Sequence, residues 1–255
     1  MSVFSCKAVV LKELDYKEND KIVWLYSDKL GKISAIAKEA KKSKSKLFSI
    51  TLPFCFGEYN LYKGKSMYVL TEGKIIESFQ GFLKDLDLLT YASYLCELID
   101  ISTVDEESNS YLFKILVSTL YLLNTQAVDI DTLLRVYELN VLKATGYGIN
   151  LDNCSICRKK IEQSEYISLQ YHGGVCYECP KDMSFKISKP AYKVLKVLNN
   201  ISIENIYRLT IPKDIKKELE KLLKIFITNN FSRAPKSLQI LNFIKESEDN
   251  ERYYS

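Results

Sequence analysis

Gly31-Lys32-Ile33-Ser34-Ala35-Ile36-Ala37 runs directly into Lys38-Glu39-Ala40-Lys41-Lys42-Ser43-Lys44-Ser45-Lys46. The first seven residues alternate in part between apolar and polar side chains, the period of a half-buried strand. The next nine carry five lysines and interrupt that pattern. Similar apolar, β-branched stretches lie on either side: Cys6 to Leu14 and Lys21 to Tyr26 before it, Phe54 to Tyr62 and Ser66 to Glu72 after it. Turn signals at Ser27-Asp28-Lys29-Leu30-Gly31 and Tyr62-Lys63-Gly64-Lys65 separate them. Five short strands within residues 1–80 suit a small closed barrel, which leaves no exposed sheet edge, better than an open sheet.

Beyond residue 80 the period changes from two to about 3.6. Asp85 is a natural N-cap for a helix carrying Leu88, Ala92, Leu95 and Ile99. A second helix is predicted from Asn109 to Leu123 and a third from Asp131 to Thr145, ending at Gly146, a residue suited to the position just past a helix. A strand-like insert bearing cysteines covers 152–187. Helices resume at Ser188–Asn199 and, after Pro212, at Lys213–Asn229, and the polar residues from Glu246 onward are expected to fray. The chain thus reads as α+β, with a barrel at 1–80, a helical domain at 81–151 and 188–245, and the insert at 152–187.

With 255 residues, 47% hydrophobic and 27% charged, the chain can bury a real core. No apolar run approaches the roughly 18 residues of a membrane span, and charge enters the N-terminal stretch too early for a signal peptide. A cytoplasmic location with reduced thiols is therefore expected, and seven cysteines, an odd number, make a poor disulfide framework. The net charge of +4 is uneven: residues 1–80 carry +5, 81–150 carry −6, 151–190 carry +1 and 191–255 carry +4. Alternating basic and acidic regions suggest separate surfaces for different partners.

Cys154-x-x-Cys157 and Cys176-x-x-Cys179 are eighteen residues apart. Each pair forms a tight turn aiming two thiolates at one point, and together they complete a tetrahedron for one structural zinc. Four thiolates close the coordination shell, which leaves no position for a catalytic water. Gly173 and Gly174 let the backbone fold close to the metal. His172, the single histidine, is a weaker candidate ligand, and one histidine gives triad catalysis little to work with. Gly64-Lys65-Ser66 looks like the end of a phosphate loop, but Tyr59 stands where its first glycine is required. These readings argue against an enzyme. Lys38, Lys41, Lys42, Lys44 and Lys46 are candidates for contacting nucleic-acid phosphates, since lysines neutralise backbone charge without reading bases. The bland alternative is a solvated connection. Trp24, Tyr26, Phe54, Phe56, Tyr59, Tyr62 and Tyr68 read mainly as core or support, and Cys6, Cys55 and Cys96 as inert core thiols.

The order of barrel with basic loop, helices, two CxxC pairs and further helices resembles the bacterial recombination mediator RecO in its zinc-containing form. The likeness is carried by Tyr16-Lys17-Glu18-Asn19-Asp20, by Gly31 to Lys38 running into the lysine-serine block, and by Tyr91 to Leu98. It continues through Tyr137-Glu138-Leu139 to Gly146-Tyr147, Gly173-Gly174-Val175-Cys176 and Pro235-Lys236-Ser237. Two departures fall in the basic loop: the family usually has glycine where this chain has Glu39, and often arginine at Lys41 or Lys42. The resemblance implies an N-terminal OB-fold, a helical domain and a four-cysteine zinc-finger insert. It further implies binding of single- and double-stranded DNA, annealing of complementary strands, and partnership with RecR and the single-stranded DNA-binding protein. A functional link to RecA and RecF and a place at the nucleoid follow from it, with no membrane role. An alternative from another class is a zinc-ribbon and OB-like interaction module of a transcription or translation complex.

Overall fold

A computed structural model describes residues 3–241. The expected fraying from Glu246, and the last four positions of the 188–245 range, lie outside the described residues. Five strands, β1 (Val3–Tyr16), β2 (Asp20–Ser27), β3 (Gly31–Ala37), β4 (Phe56–Lys63) and β5 (Tyr68–Glu77), close into a barrel of order β1-β2-β3-β5-β4. All neighbours are antiparallel except β3 and β5, which pair in parallel through Ala35–Tyr68, Ile36–Val69 and Ala37–Leu70. Antiparallel pairing of Val3–Val9 with Phe56–Tyr62 closes the ring. This is the five-stranded OB-fold barrel. Its interior is filled by alternate residues of the strands, among them Ala8, Val10, Val23, Leu25, Ile33, Ala35, Tyr59 and Leu61, as the two-residue period requires.

The lysine-bearing segment between β3 and β4 is anchored to this core. Ala40, Leu47 and Ile50 are buried in the same apolar cluster as the strands. Ile50 sits where only glycine leaves room: a Cβ on Gly57 would lie 2.7 Å from its Cδ1, and one on Gly73 2.8 Å from its Cγ1. The buried Tyr59 hydroxyl donates to the carbonyls of Ile50 (3.0 Å) and Cys55 (3.1 Å).

The described chain forms two compact units, residues 3–124 with 235–241, and residues 125–234. The partition expected from sequence cuts at other points. Here α1 (Leu86–Ser102) and α2 (Ser110–Thr125) group with the barrel, and the cysteine-bearing insert groups with α3 (Ile130–Ala144), α4 (Lys189–Leu198) and α5 (Lys213–Asn230). The caps follow from residue chemistry. Asp85 accepts from the amides of Asp87 and Leu88, Asn109 from Leu112, Asp129 from Thr132 and Ser188 from Ala191. Gly146, at φ +89°, ends α3, and the Tyr147 amide reaches back to Leu142 O at 2.8 Å, the bond of a Schellman stop. In the first unit, two stretches quoted above meet across 140 residues: Ser237 donates from its amide (2.9 Å) and hydroxyl (2.8 Å) to Glu97 Oε2.

Candidate nucleic-acid interface and metal centre

Apolar anchoring turns the lysines of the β3–β4 segment outward. Lys38, Lys42, Lys44 and Lys46 are exposed and Lys41 is half-buried. They are not equivalent. Lys41 Nζ lies 3.0 Å from Asp15 Oδ2, and Lys42 Nζ lies 2.5 Å from Glu39 Oε1. Lys38, Lys44 and Lys46 have no ion pair among the described residues. The segment is tied to the β1–β2 turn through Lys41 N to Asn19 O (3.0 Å) and Glu39 N to Asp20 Oδ1 (2.8 Å). Glu39 adopts φ +56°, the left-handed region that only glycine occupies without cost. A glutamate here therefore strains the backbone and occupies one of the lysines. The Asp15–Lys41 pair left no signal in the sequence, because it forms only once β1, β2 and β3 pair; Glu39 and Lys42, three residues apart, are local.

The named aromatics are mostly interior: Tyr26, Phe54, Phe56, Tyr59 and Tyr68 are buried. Trp24 is half-buried beneath the Lys12 ammonium, 4.8 Å from its ring. Burial pushes the Cys6 and Cys55 thiols up to about 11 and the Cys96 thiol higher still, so all three are inert at neutral pH. Gly64-Lys65-Ser66 forms the hairpin turn between β4 and β5, with Gly64 N donating to Met67 O at 2.9 Å.

In the second unit a three-stranded sheet of order β7-β6-β8, made of β6 (Tyr166–Ser168), β7 (Gly173–Gly174) and β8 (Ser184–Lys186), supports two cysteine turns. In the first, Arg158 at φ +64° donates to Cys154 O (2.9 Å), and Cys154 N donates to Lys159 O (2.8 Å). The second turn is clasped by Lys181, whose ammonium donates to the carbonyls of Cys176 (2.8 Å), Tyr177 (2.7 Å) and Cys179. Ser155 N to Gly174 O (2.8 Å) joins the first turn to β7. The two glycines serve packing against their neighbours: a Cβ on Gly174 would lie 2.5 Å from the Tyr192 hydroxyl, and one on Gly173 2.6 Å from Asn150 O.

All four sulfurs lie within 4.8 Å of one another. Cys154 Sγ is 3.8 Å from Cys179 Sγ, and Cys157 Sγ is 3.7 Å from Cys176 Sγ. A tetrahedron of thiolates about 2.3 Å from a zinc ion has an edge of about 3.8 Å, so the cluster is the right size to hold one ion. Burial alone would raise the Cys154 thiol. It is outweighed by the amides of Cys176, Cys157 and Ile156 and by the Cys157 side chain, which bring it down to about 6, while burial and the neighbouring thiols push Cys179 up to about 12. The Cys176 amide points at Cys154 Sγ from 3.3 Å, a donor that stabilises a thiolate ligand. His172 is outside the cluster, its ring packed against Tyr147 (5.8 Å) and Phe226 (5.7 Å).

The family model for the recombination protein O N terminal matches residues 1–79, and that for the recombination protein O C terminal matches residues 83–239. The chain belongs to the recombination protein O family. It is 54% identical to the DNA repair protein RecO of Clostridium perfringens, over 96% of this chain and 100% of that relative. The DNA repair protein RecO of Clostridium acetobutylicum is 50% identical over the same shares of the two chains. That of Caldicellulosiruptor saccharolyticus is 28% identical, again over 96% and 100%. Membership of the recombination protein O family does not favour the transcription or translation module. Among the described residues, no helix is long and apolar enough to cross a membrane.

Proposed function

We propose that this chain is a non-enzymatic mediator of DNA recombination and repair that holds DNA backbones on its β3–β4 segment and anneals complementary strands. The observation that carries this reading is a row of exposed lysines on a segment pinned to a closed barrel, with Lys38, Lys44 and Lys46 unpaired among the described residues. Annealing needs no catalytic group. Neutralised phosphates repel one another less, and two strands held on one surface meet more often. Family membership supports the further expectation that the chain works with RecR and the single-stranded DNA-binding protein, helps RecA onto single strands, and has a functional link to RecF. A cytoplasmic, nucleoid-associated location accords with that role. One zinc ion on Cys154, Cys157, Cys176 and Cys179 would act structurally, by holding the two cysteine turns together.

The test is DNA affinity measured across a salt series. Each phosphate contact to a single strand contributes about −0.7 to the slope of log affinity against log salt. Replacing Lys38, Lys44 and Lys46 together with alanine is expected to flatten that slope by up to about two, equally for different sequences. Removal of Lys41 and Lys42, already engaged by Asp15 and Glu39, should flatten it less. Unchanged slope and affinity in the first variant would sink the reading. Glu39→Gly is expected to act in the opposite direction: Lys42 is released, and the slope steepens by about 0.7. Since φ at position 39 is +56°, glycine fits the backbone as it stands, and stability should shift by less than about 1 kcal/mol.

A further inference from the structure

Beside the Gly64-Lys65-Ser66 turn lies a cleft of about 150 Å³ lined by Lys32, Ser34, Lys63, Lys65 and Ser66. Ile33, Met67 and Tyr68 also line it, as do Asp105 and Glu106 from the connection between α1 and α2. Glu106 Oε2 is 2.7 Å from Lys63 Nζ, and Asp105 Oδ1 is 3.2 Å from Lys32 Nζ. Glu106 raises the Lys63 ammonium above its ordinary value. Lys65 is exposed and has no partner among the described residues.

The acidic connection is fixed by its backbone, and its carboxylates are free to swing. Lys32 and Asp105 form a parallel β-bridge, and Glu106 N donates to Lys32 O at 2.8 Å. Lys32 Nζ caps the end of α1 through the carbonyls of Asp100 (2.6 Å) and Thr103 (2.9 Å). Gly31, at φ +65°, lets the Glu107 backbone approach so closely that a Cβ would sit 2.1 Å from Glu107 O. The side chain of Asp105 is 79% exposed and that of Glu106 50% exposed, and such pairs hold together weakly in water.

We propose that this cleft is a second backbone-phosphate site for single-stranded DNA, and that the carboxylates of Asp105 and Glu106 stand in for phosphate until a strand displaces them. The volume accommodates a phosphate and its contacts and is well below the roughly 300 Å³ at which pockets for larger ligands begin. Two ammonium groups with two serine hydroxyls suit phosphodiester oxygens, since such contacts come from lysines and hydroxyls alike. An acidic peptide would present similar charge, and competition by one is an outcome of the test below. The exchange swaps one anion for another on the same lysines and needs no movement of the backbone.

This inference rests on the reading that the barrel binds DNA, and a four-protein cycle separates the two. Binding of a fluorescent oligothymidylate across a salt series is compared for wild type, Asp105→Asn/Glu106→Gln, Lys63→Ala/Lys65→Ala, and all four changes together, each with its thermal melt. Asp105→Asn/Glu106→Gln should bind roughly five-fold tighter, with a slope steeper by about 0.7 to 1.4, one or two added contacts. The lysine changes alone should cost less than about two-fold, and in the amide background they should abolish most of the gain, leaving only the part that Lys32 supplies, the non-additivity expected of coupled groups. A gain that survives undiminished after loss of both lysines is general charge repulsion and overturns the site. So does a normal wild-type slope that the amide variant leaves unchanged. Equal competition by an oligoglutamate peptide overturns the ligand class, and failure of all four proteins to bind DNA overturns the parent reading with it.

Discussion

Cys154→Ser is expected to bring the metal content from about one zinc per chain to near zero and to unfold the insert between residues 152 and 187. The insert has little else to hold it. Its buried apolar residues are few, chiefly Ile161, Ile167, Val175 and Ile187, and segments below about 40 residues usually need a metal or disulfides to fold. Zinc binding in comparable small sites is worth about 10 to 16 kcal/mol at neutral pH, at least as much as those four side chains supply at about 1.5 to 3 kcal/mol each. Cys154 is also the thiol toward which the Cys176 amide donates, so serine removes a ligand and loosens the join between the two turns. Hydrogen exchange offers the sharpest reading. The amides of Ser155, Gly174 and Val175, bonded to Gly174 O, Asn150 O and Tyr166 O, should lose protection, and barrel amides should keep theirs. A chelator should reproduce the pattern. Retention of those three amides in a metal-free protein would show that the insert folds by its own packing.

Glu138→Ala is expected to destabilise the second unit by about 3 to 5 kcal/mol, the cost of breaking a buried ion pair from one side. Arg135 and Glu138 lie one turn apart on α3, with Nη2 3.1 Å from Oε1, and their side chains are only 6% and 2% exposed. α3 packs against α4 and α5, so the carboxylate is removed from a poorly hydrated setting. Replacing both partners together, by Arg135→Met with Glu138→Leu, should cost much less, because it removes the desolvated charges as well as their attraction. Urea unfolding of wild type, the single variant and the double variant decides the matter. A single variant within about 1 kcal/mol of wild type would mean that the pair contributes nothing to stability.

Much of the barrel was legible because its strands alternate and are bounded by glycine-bearing turns. β3 spans the seven residues expected of it. β5 runs on to Glu77, past the expected Glu72. Its last residues are mostly exposed and are held by backbone pairing with β4, so they carry no apolar period to read. The cysteine cluster was legible from spacing, since each short turn places two sulfurs; the sheet that brings the two turns together was not. The lysine segment was legible in composition but not in chemistry. Nothing local to residues 38–46 says that Asp15 engages Lys41, or that Ala40 and Ile50 fill the barrel while the lysines face out. The grouping of α1 and α2 with the barrel was equally hidden, because helical periodicity reports that a face is covered and not by what.

The bonds from Ser237 to Glu97 have a consequence for how the chain comes off the ribosome. The first unit is interrupted: it leaves off at Asn124 and resumes at Pro235. The barrel and its two helices emerge first, and Ser237 is synthesised more than a hundred residues later. The nascent first unit must therefore wait, with the Glu97 carboxylate of α1 lacking the Ser237 amide and hydroxyl, while the whole second unit is translated. A transcript or protease cut that ends the chain before Ser237 would leave both units nominally present and the earlier one permanently unfinished.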